Sequence, residues 1–358
     1  NMSETIHTTV VLELTGAEEA PGVVEGGVLK SRQGVNFPNL ALSVPPLTEK
    51  DKHDVEFGLA HNVDWISLSF VRRAEDVRTL KEFISEKGGS KPVIAKIEKP
   101  QAIEQLEEIL QEVSGVMVAR GDLGVEVSPE KVPMLQKHII ERCNRKGLPV
   151  ITATQMLQSM VNNPRPTRAE ASDVANAVWD GTDTVMLSNE TASGLYPVAA
   201  VETMCRIIES AETLNELSTE RATRLLGRHS GRVSRALCEA AVFAGEEMGT
   251  RVTAVLTESG LMARRLSALR PVQQIVALTN TLEVQNELAL IWGVESVLVA
   301  HANTTEEMLR AGETALVNSG AVQKGEMIVM MAGRLSGLGL SSSVTVLTIG
   351  GDSRPTAL

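Results

Sequence analysis

The sequence predicts an α/β protein, a partial (β/α)8 barrel followed by a smaller α/β domain. Three observations predict it. From Asp64 onward, short and nearly continuous apolar runs alternate with helix-like runs, as strands covered on both faces by helices require. Polar or charged residues gather at the carboxyl ends of four of those runs: Ser69, Lys96 with Glu98, Asp122, and Thr154 with Gln155. After a polar stretch at 218–228, a second alternating series begins.

The elements follow in order. Before Ser31, short strand patterns at 9–13 and 22–29, with a glycine turn at Gly26-Gly27, make a piece too small to bury a core alone. Strands are expected at 65–70, 93–98, 115–119, 149–154 and 184–188. Helical patterns separate them. One covers 74–86. A second, at 101–112, places Ile103, Leu106, Ile109 and Leu110 at helical spacing. A third covers 132–146, with Gly147 placed to cap it. Thr167-Arg168-Ala169-Glu170 is a capping box that opens a helix over 171–179. Consecutive strand–helix units imply a parallel sheet with right-handed crossovers. An open doubly wound sheet fits that pattern too. The polar strand ends favour the barrel, whose active sites form there. So does the lack of a GxGxxG between a strand and a helix. A closed barrel needs eight strands, and five are found.

In the second series, helices at 233–248, 261–269, 282–291 and 305–318 alternate with strands at 253–256, 274–277, 296–299 and 327–331. A strand at 344–349 ends it. The expected division is 1–31, 32–217 and 218–358.

Bulk properties exclude several classes. The net charge of −11, without clustered Lys and Arg, argues against a nucleic-acid binder. No run approaches 18 apolar residues, so no membrane span is expected, and the polar start (Met2-Ser3-Glu4-Thr5) is not a secretory signal. Cys143, Cys205 and Cys238 are odd in number and far apart, which reads as reduced thiols in a cytosol-like compartment. The six histidines show no metal-ligand spacing.

Chemistry concentrates at two strand ends. Alternation points Lys96 and Glu98 to one side and Ile97 to the other, toward the helices. An inward Lys–Glu pair in an apolar strand is costly unless paired or bound to a ligand. Asp122, at the exit of the next strand, can approach Glu98 within reach of one cation. Two carboxylates with room for water suit Mg²⁺ or Mn²⁺. Lys96 would add a point charge for a phosphate or an enolate. Gly121 and Gly124 would let backbone N–H groups approach an anion. The competing interpretation is a buried structural ion pair of Lys96 with Glu98 or Asp122. Arg120 would steady the metal carboxylates or pair at the surface, and Thr154 would set a hydroxyl over the site or serve as a plain strand residue.

At these residues the chain resembles the pyruvate kinase family. The matching segments are Gly27-Val28-Leu29-Lys30-Ser31-Arg32-Gln33-Gly34-Val35-Asn36, Ile66-Ser67-Leu68-Ser69-Phe70-Val71-Arg72, Ala95-Lys96-Ile97-Glu98 and Met117 to Gly124. Ile151 to Leu157, Asn163 to Glu170, Ser172 to Val178 and Val185 to Ala192 continue in the family's order. The resemblance implies Mg²⁺-dependent phosphoryl transfer between phosphoenolpyruvate and ADP, giving pyruvate and ATP, usually with K⁺. It implies that Lys96 stabilises the transferring phosphoryl group and the enolate. Glu98 and Asp122 would ligate the divalent metal, and Gly121 and Asp122 would line the substrate carboxylate through their backbone. Thr154 would contact substrate near the protonated carbon, with Ser69 and Phe70 beside the K⁺ region. Departures are Gln158, where an acidic residue is common, and Asn189, where many members have glycine.

Family members begin with three further barrel strands and a larger inserted lid domain. The chain is therefore expected to correspond to the carboxy-terminal two-thirds of such an enzyme, with the K⁺ ligands lying upstream, and to be inactive alone. Asn1 stands ahead of Met2, so this start need not be natural. Thr257, Ser259 and Gly260 match a turn that relatives use to cradle an effector phosphate, and the loop 333–343 would flank it. Glu258 and Leu261 there argue against fructose 1,6-bisphosphate and for a monophosphate effector or none. A homotetramer in the cytoplasm is expected, or in a plastid stroma if a transit peptide preceded the chain. Two alternatives are a non-catalytic regulatory subunit of this family and another Mg²⁺-dependent barrel enzyme acting on pyruvate enolate, an aldolase or lyase. The second domain counts against the last.

Overall fold

The five apolar runs between Asp64 and Ser188 form one parallel sheet. In the computed structural model, which describes residues 11–13, 22–25, 45–213, 232–300, 305–332 and 343–351, its strands are β3 (Ile66–Leu68), β4 (Val93–Ile97), β5 (Gly115–Ala119), β6 (Val150–Ala153) and β7 (Thr184–Met186). They lie side by side in chain order, β3-β4-β5-β6-β7, all parallel. Each strand lies within its expected run; β5 fills it and the others are shorter by one to three residues.

Both faces of the central strands β4, β5 and β6 are largely buried, which is why their runs are continuously apolar. Val93, Ala95, Ile97, Val116 and Val118 pack on one face against Val77, Leu80, Ile109, Ile139 and Ile140 of the helices. Ile94, Met117, Ile151 and Ala153 form a second cluster on the opposite face, joined by Trp65, Met186 and Leu290. Truncating a side chain such as Ile97 to alanine in a layer this dry costs about 2–5 kcal/mol.

The covering helices are α1 (Glu49–Ala60), α2 (Ala74–Glu86), α3 (Pro100–Glu104), α4 (Leu106–Glu112), α5 (Arg120–Glu126), α6 (Val132–Lys146), α7 (Arg168–Asp180), α8 (Asn189–Ala192) and α9 (Pro197–Thr213). Helices α2 and α6 begin and end where the sequence places them, and Gly147 caps α6 at φ 67°. Thr167 caps α7 through Glu170 as the capping box requires. Three findings differ from expectation. The helix over 101–112 breaks at Gln105 into α3 and α4, so that Ala102, Leu106, Ile109 and Leu110 all reach the core. Helices α1 and α9 flank the sheet, though the sequence reading marks neither. In α1 only Val55 is buried, so an apolar stripe scarcely exists to be read. The third is α5, a helix that begins at Arg120, where the sequence pattern marks only the exit of a strand.

The second series forms another five-stranded sheet, in the order β10-β9-β8-β11-β12. Its strands are β8 (Val252–Leu256), β9 (Gln274–Thr279), β10 (Val294–Leu298), β11 (Met327–Ala332) and β12 (Ser343–Thr348). The first four run parallel, and β12 is an antiparallel edge strand on β11. Helices α10 (Arg232–Glu247), α11 (Leu261–Ser267), α12 (Leu282–Leu288) and α13 (Thr305–Asn318) connect it, with an apolar cluster on each face.

A compact joint ties this sheet to the first. Arg270, itself at φ 49°, donates to the Gly181 carbonyl (2.5 Å) and to Asp183 (3.1 Å), and its guanidinium lies 4.8 Å from the Trp292 ring centroid. Trp292 Nε1 donates to Glu212 (2.7 Å), and the Thr184 hydroxyl donates to the Leu290 carbonyl (3.0 Å). Asp183 also accepts the Val150 N–H, so one carboxylate serves both the start of β6 and the second sheet.

The segment 1–42 is a separate compact unit from 43–358. Within it, β1 (Val11–Glu13) pairs antiparallel with β2 (Gly22–Glu25). The Gly26-Gly27 turn, the matching segment 27–36, the stretch 218–228, the loop 333–342 and both expected boundaries, 31/32 and 217/218, lie outside the described residues. Among the described residues, no helix is long and apolar enough to cross a membrane.

Candidate active site at the strand exits

Strand β4 carries Ile94 and Lys96 on one face and Ala95 and Ile97 on the other. Glu98 follows as the chain leaves the ladder, and its side chain is fully buried. The Lys96 ammonium stands 2.7 Å from Glu98 Oε1 and donates to the Ser69 hydroxyl (3.0 Å) at the exit of β3. Glu98 Oε2 accepts the Phe70 N–H (2.7 Å), and Phe70 sits at φ 55° to present it. The ammonium approaches Oε1 without good alignment, so that buried oxygen lacks a well-formed hydrogen bond. Burial raises the Glu98 pKa above the usual carboxylate range. The Lys96 charge and the Phe70 N–H oppose this, and the Asp122 charge adds to it.

Asp122 stands half-buried in the first turn of α5, so the glycine-flanked carboxylate at the exit of β5 is a helical residue. Gly121 donates its N–H to the Thr154 hydroxyl (2.6 Å), which in turn donates to the Ala153 carbonyl (2.6 Å). The N–H expected to meet a substrate carboxylate is therefore held by Thr154 in this state. Thr154 and Gln155 both lie in the left-handed region, at φ 69° and 54°. A β-branched residue there is strained, and such strain collects at functional sites.

Arg120 does neither of the things expected of it. It is buried and turned toward β6, donating to the Thr154 carbonyl (2.8 and 3.3 Å), to Asp173 (2.8 Å) and to Gln136 (3.4 Å). Glu190 is a further buried carboxylate at the strand exits. Fully buried, it accepts the Leu157 N–H (3.0 Å) and the Ser188 N–H (2.8 Å), bracing the exits of β6 and β7 against each other. An acidic residue inside an otherwise small and polar segment, Ser188 to Ala192, was the available signal.

The structure thus brings Lys96, Glu98, Ser69 and Phe70 into direct contact, and Gly121 with Thr154. The competing ion pair, Lys96 with Glu98, is present. A buried carboxylate oxygen without a well-formed hydrogen bond, with a second carboxylate close enough to raise its pKa, is a donor set that suits a hard divalent cation completed by water or substrate oxygens. Among the described residues, no group of three or more His, Cys, Asp or Glu could hold a metal by itself.

In the second sheet, Thr257 is buried and its hydroxyl accepts the Gly260 N–H (2.9 Å). Gly260, at φ 73°, is packed so that a side chain would meet Leu288, while Ser259 is exposed. Of the expected flanking loop, only Ser343 is described, as the first residue of β12.

Fold and site together define a class: an α/β barrel-type domain whose charged residues gather at the carboxyl ends of parallel strands, joined to a smaller α/β domain. The family model described as "Pyruvate kinase, barrel domain" matches residues 7–201, and "Pyruvate kinase, alpha/beta domain" matches 235–347. The chain belongs to the pyruvate kinase family. It is 46% identical over 322 residues to "Pyruvate kinase 2" of Synechocystis sp., covering 90% of this chain and 54% of that protein. It is 42% identical over 330 residues to "Pyruvate kinase" of Sporosarcina psychrophila (90% and 56%), and 44% identical over 315 residues to that of Staphylococcus aureus (87% and 53%). The chain spans about half the length of these curated relatives.

Proposed function

We propose that the chain carries the phosphoenolpyruvate-binding side of a pyruvate kinase active site. The reaction is phosphoryl transfer between phosphoenolpyruvate and ADP, giving pyruvate and ATP. One observation carries this most: Lys96 pairs with Glu98 at the exit of β4, and the Asp122 charge, just beyond β5, is near enough to raise the Glu98 pKa, in a domain of this family. Transfer of a phosphoryl group needs positioning and charge neutralisation more than covalent help. Lys96 supplies a fixed positive charge to the transferring group and to the enolate oxygen left behind. Glu98 and Asp122 would hold Mg²⁺ or Mn²⁺, which when bound neutralises phosphate charge. Gly121 and Asp122 would offer backbone N–H groups to the substrate carboxylate once Thr154 yields the Gly121 N–H. Thr154 would then hold its hydroxyl beside the carbon that is protonated. K⁺ is the second proposed ion, near Ser69 and Phe70.

Mn²⁺-dependent binding of phosphoenolpyruvate, followed by equilibrium dialysis, tests this. Binding that is lost in Lys96→Met and in Glu98→Gln supports the reading; metal-independent binding, or none, sinks it. Among the described residues the first sheet has five strands; turnover is not expected from this polypeptide alone, and steady-state ATP formation by it would refute that expectation.

The division at 31/32 and 217/218 into lid remnant, barrel and regulatory domain is part of the same proposal. So are a homotetramer and a cytoplasmic location. Thr257, Ser259 and Gly260 are the proposed effector turn, and Ser259 is the exposed donor among them. A monophosphate or no effector is favoured over fructose 1,6-bisphosphate, because Glu258 adds negative charge.

A further inference from the structure

We infer that Lys99 and Glu126 are a positioning pair that sets where Asp122 stands relative to Glu98. Helix α5 is seven residues long and contains two glycines, Gly121 and Gly124, so it has little stability of its own. Something outside it must hold Asp122 in place. Its amino end is held by Arg120, through Thr154 and Asp173. Its carboxyl end is held by Glu126, which pairs with the Lys99 ammonium at 2.5 Å. The Glu126 side chain is 5% exposed and that of Lys99 19%.

The placement of the pair is what points to the site. Lys99 follows Glu98 directly in the chain. Glu126 lies four residues beyond Asp122, on the same helix face. The pair therefore joins the neighbour of one carboxylate to the neighbour of the other. The same ammonium lies 5.6 Å from the centroid of the Phe70 ring, and the Phe70 N–H holds Glu98 Oε2. One cation on the exit of β4 thus reaches both α5 and the exit of β3. A buried ion pair is a poor source of net stability, because desolvation offsets its attraction. Its use here is geometric, as outer partners of metal ligands generally are.

This inference rests on the proposed role of Glu98 and Asp122 as a cation site, and the experiment separates the two. Mn²⁺ is titrated into the chain, with free Mn²⁺ followed by electron paramagnetic resonance, for the parent, Glu98→Gln, Lys99→Met, Lys99→Arg and Glu126→Gln. Thermal midpoints are recorded alongside. Through-space charge alone predicts opposite signs: losing the Lys99 cation would tighten Mn²⁺ binding and losing the Glu126 anion would weaken it. Positioning predicts that both weaken it, roughly tenfold, as for outer-shell partners elsewhere. Lys99→Arg, which keeps the charge and the reach, should retain the parent affinity. Tighter or unchanged binding in folded Lys99→Met overturns the inference. Should Lys99→Met fail to fold, unchanged binding in Glu126→Gln overturns it equally. A parent chain without Mn²⁺ binding sensitive to Glu98→Gln overturns the cation site itself, and the pair's role with it.

Discussion

Arg120 donates two hydrogen bonds to the backbone carbonyl of Thr154, at 2.8 and 3.3 Å. It does so across the gap between two strand exits, while Thr154 is held in a left-handed conformation that a β-branched residue avoids. The guanidinium is what keeps the exit of β6 wound, and the winding is what sets the Thr154 hydroxyl on Gly121. Arg120→Met should cost about 1–3 kcal/mol by leaving the Thr154 carbonyl without its partner. Urea unfolding of the variant checks this, and an unchanged midpoint would refute it.

Lys96 and Glu98 should prove strongly coupled. Lys96→Met leaves the Glu98 carboxylate buried without its cation, so the single variant should be less stable than the Lys96→Met/Glu98→Gln double variant. A double-mutant cycle should return a coupling of about 0.5–3 kcal/mol. Additive effects would show that the pair does not interact in solution.

Burial lifts the Glu98 pKa, and the sign of the consequence is fixed. The folded state takes up this proton at a higher pH than the unfolded chain does. The group therefore lowers stability as pH rises from the ordinary glutamate value through its raised one. A cation must displace the same proton, so Mn²⁺ affinity should fall, as pH drops, sooner than an ordinary carboxylate would allow. Titrating Mn²⁺ affinity against pH checks this, with the decline expected above the usual glutamate range.

The Arg270–Asp183 pair, with side chains only 10% and 8% exposed, links the two sheets. Asp183→Asn or Arg270→Met should cost about 3–5 kcal/mol by stranding the remaining charge. In calorimetry the two sheets should then unfold in separate transitions. One cooperative transition in Arg270→Met would show that the remaining contacts suffice.

Cys205 should be the only thiol that reacts rapidly with a disulfide reagent in the folded protein. It is exposed, whereas Cys143 and Cys238 are buried. Burial pushes the Cys238 thiol up to about 12 and that of Cys143 higher still, which suppresses the reactive thiolate. Labelling of a second cysteine without denaturant would contradict this.

Much of the fold was legible because its signals are local. Continuous apolar runs mark β4, β5 and β6, Gly147 marks the end of α6, and Thr167 with Glu170 marks the start of α7. Alternation along β4 was enough to set Lys96 and Ile97 on opposite faces. Helix α1 was not legible, because with only Val55 buried it has no apolar stripe. Helix α5 was not, because its two glycines resemble a loop and the partners that Arg120 and Glu126 meet, Thr154, Asp173 and Lys99, lie on other elements.

The sequence by itself determined the strands of both sheets and most of the helices between them, the family to which the chain belongs, and that a lysine and two carboxylates stand at the exits of adjacent strands. Only the tertiary structure decided that Arg120 faces Thr154 and Asp173, that Thr154 occupies the Gly121 N–H, and that Asp183 meets Arg270. Those partners lie 34, 53, 33 and 87 residues apart in the chain. Periodicity and capping act within a few residues, through the repeat of a helix or a strand. Contacts at such separations depend on how close packing settles the whole domain, and no local pattern records them.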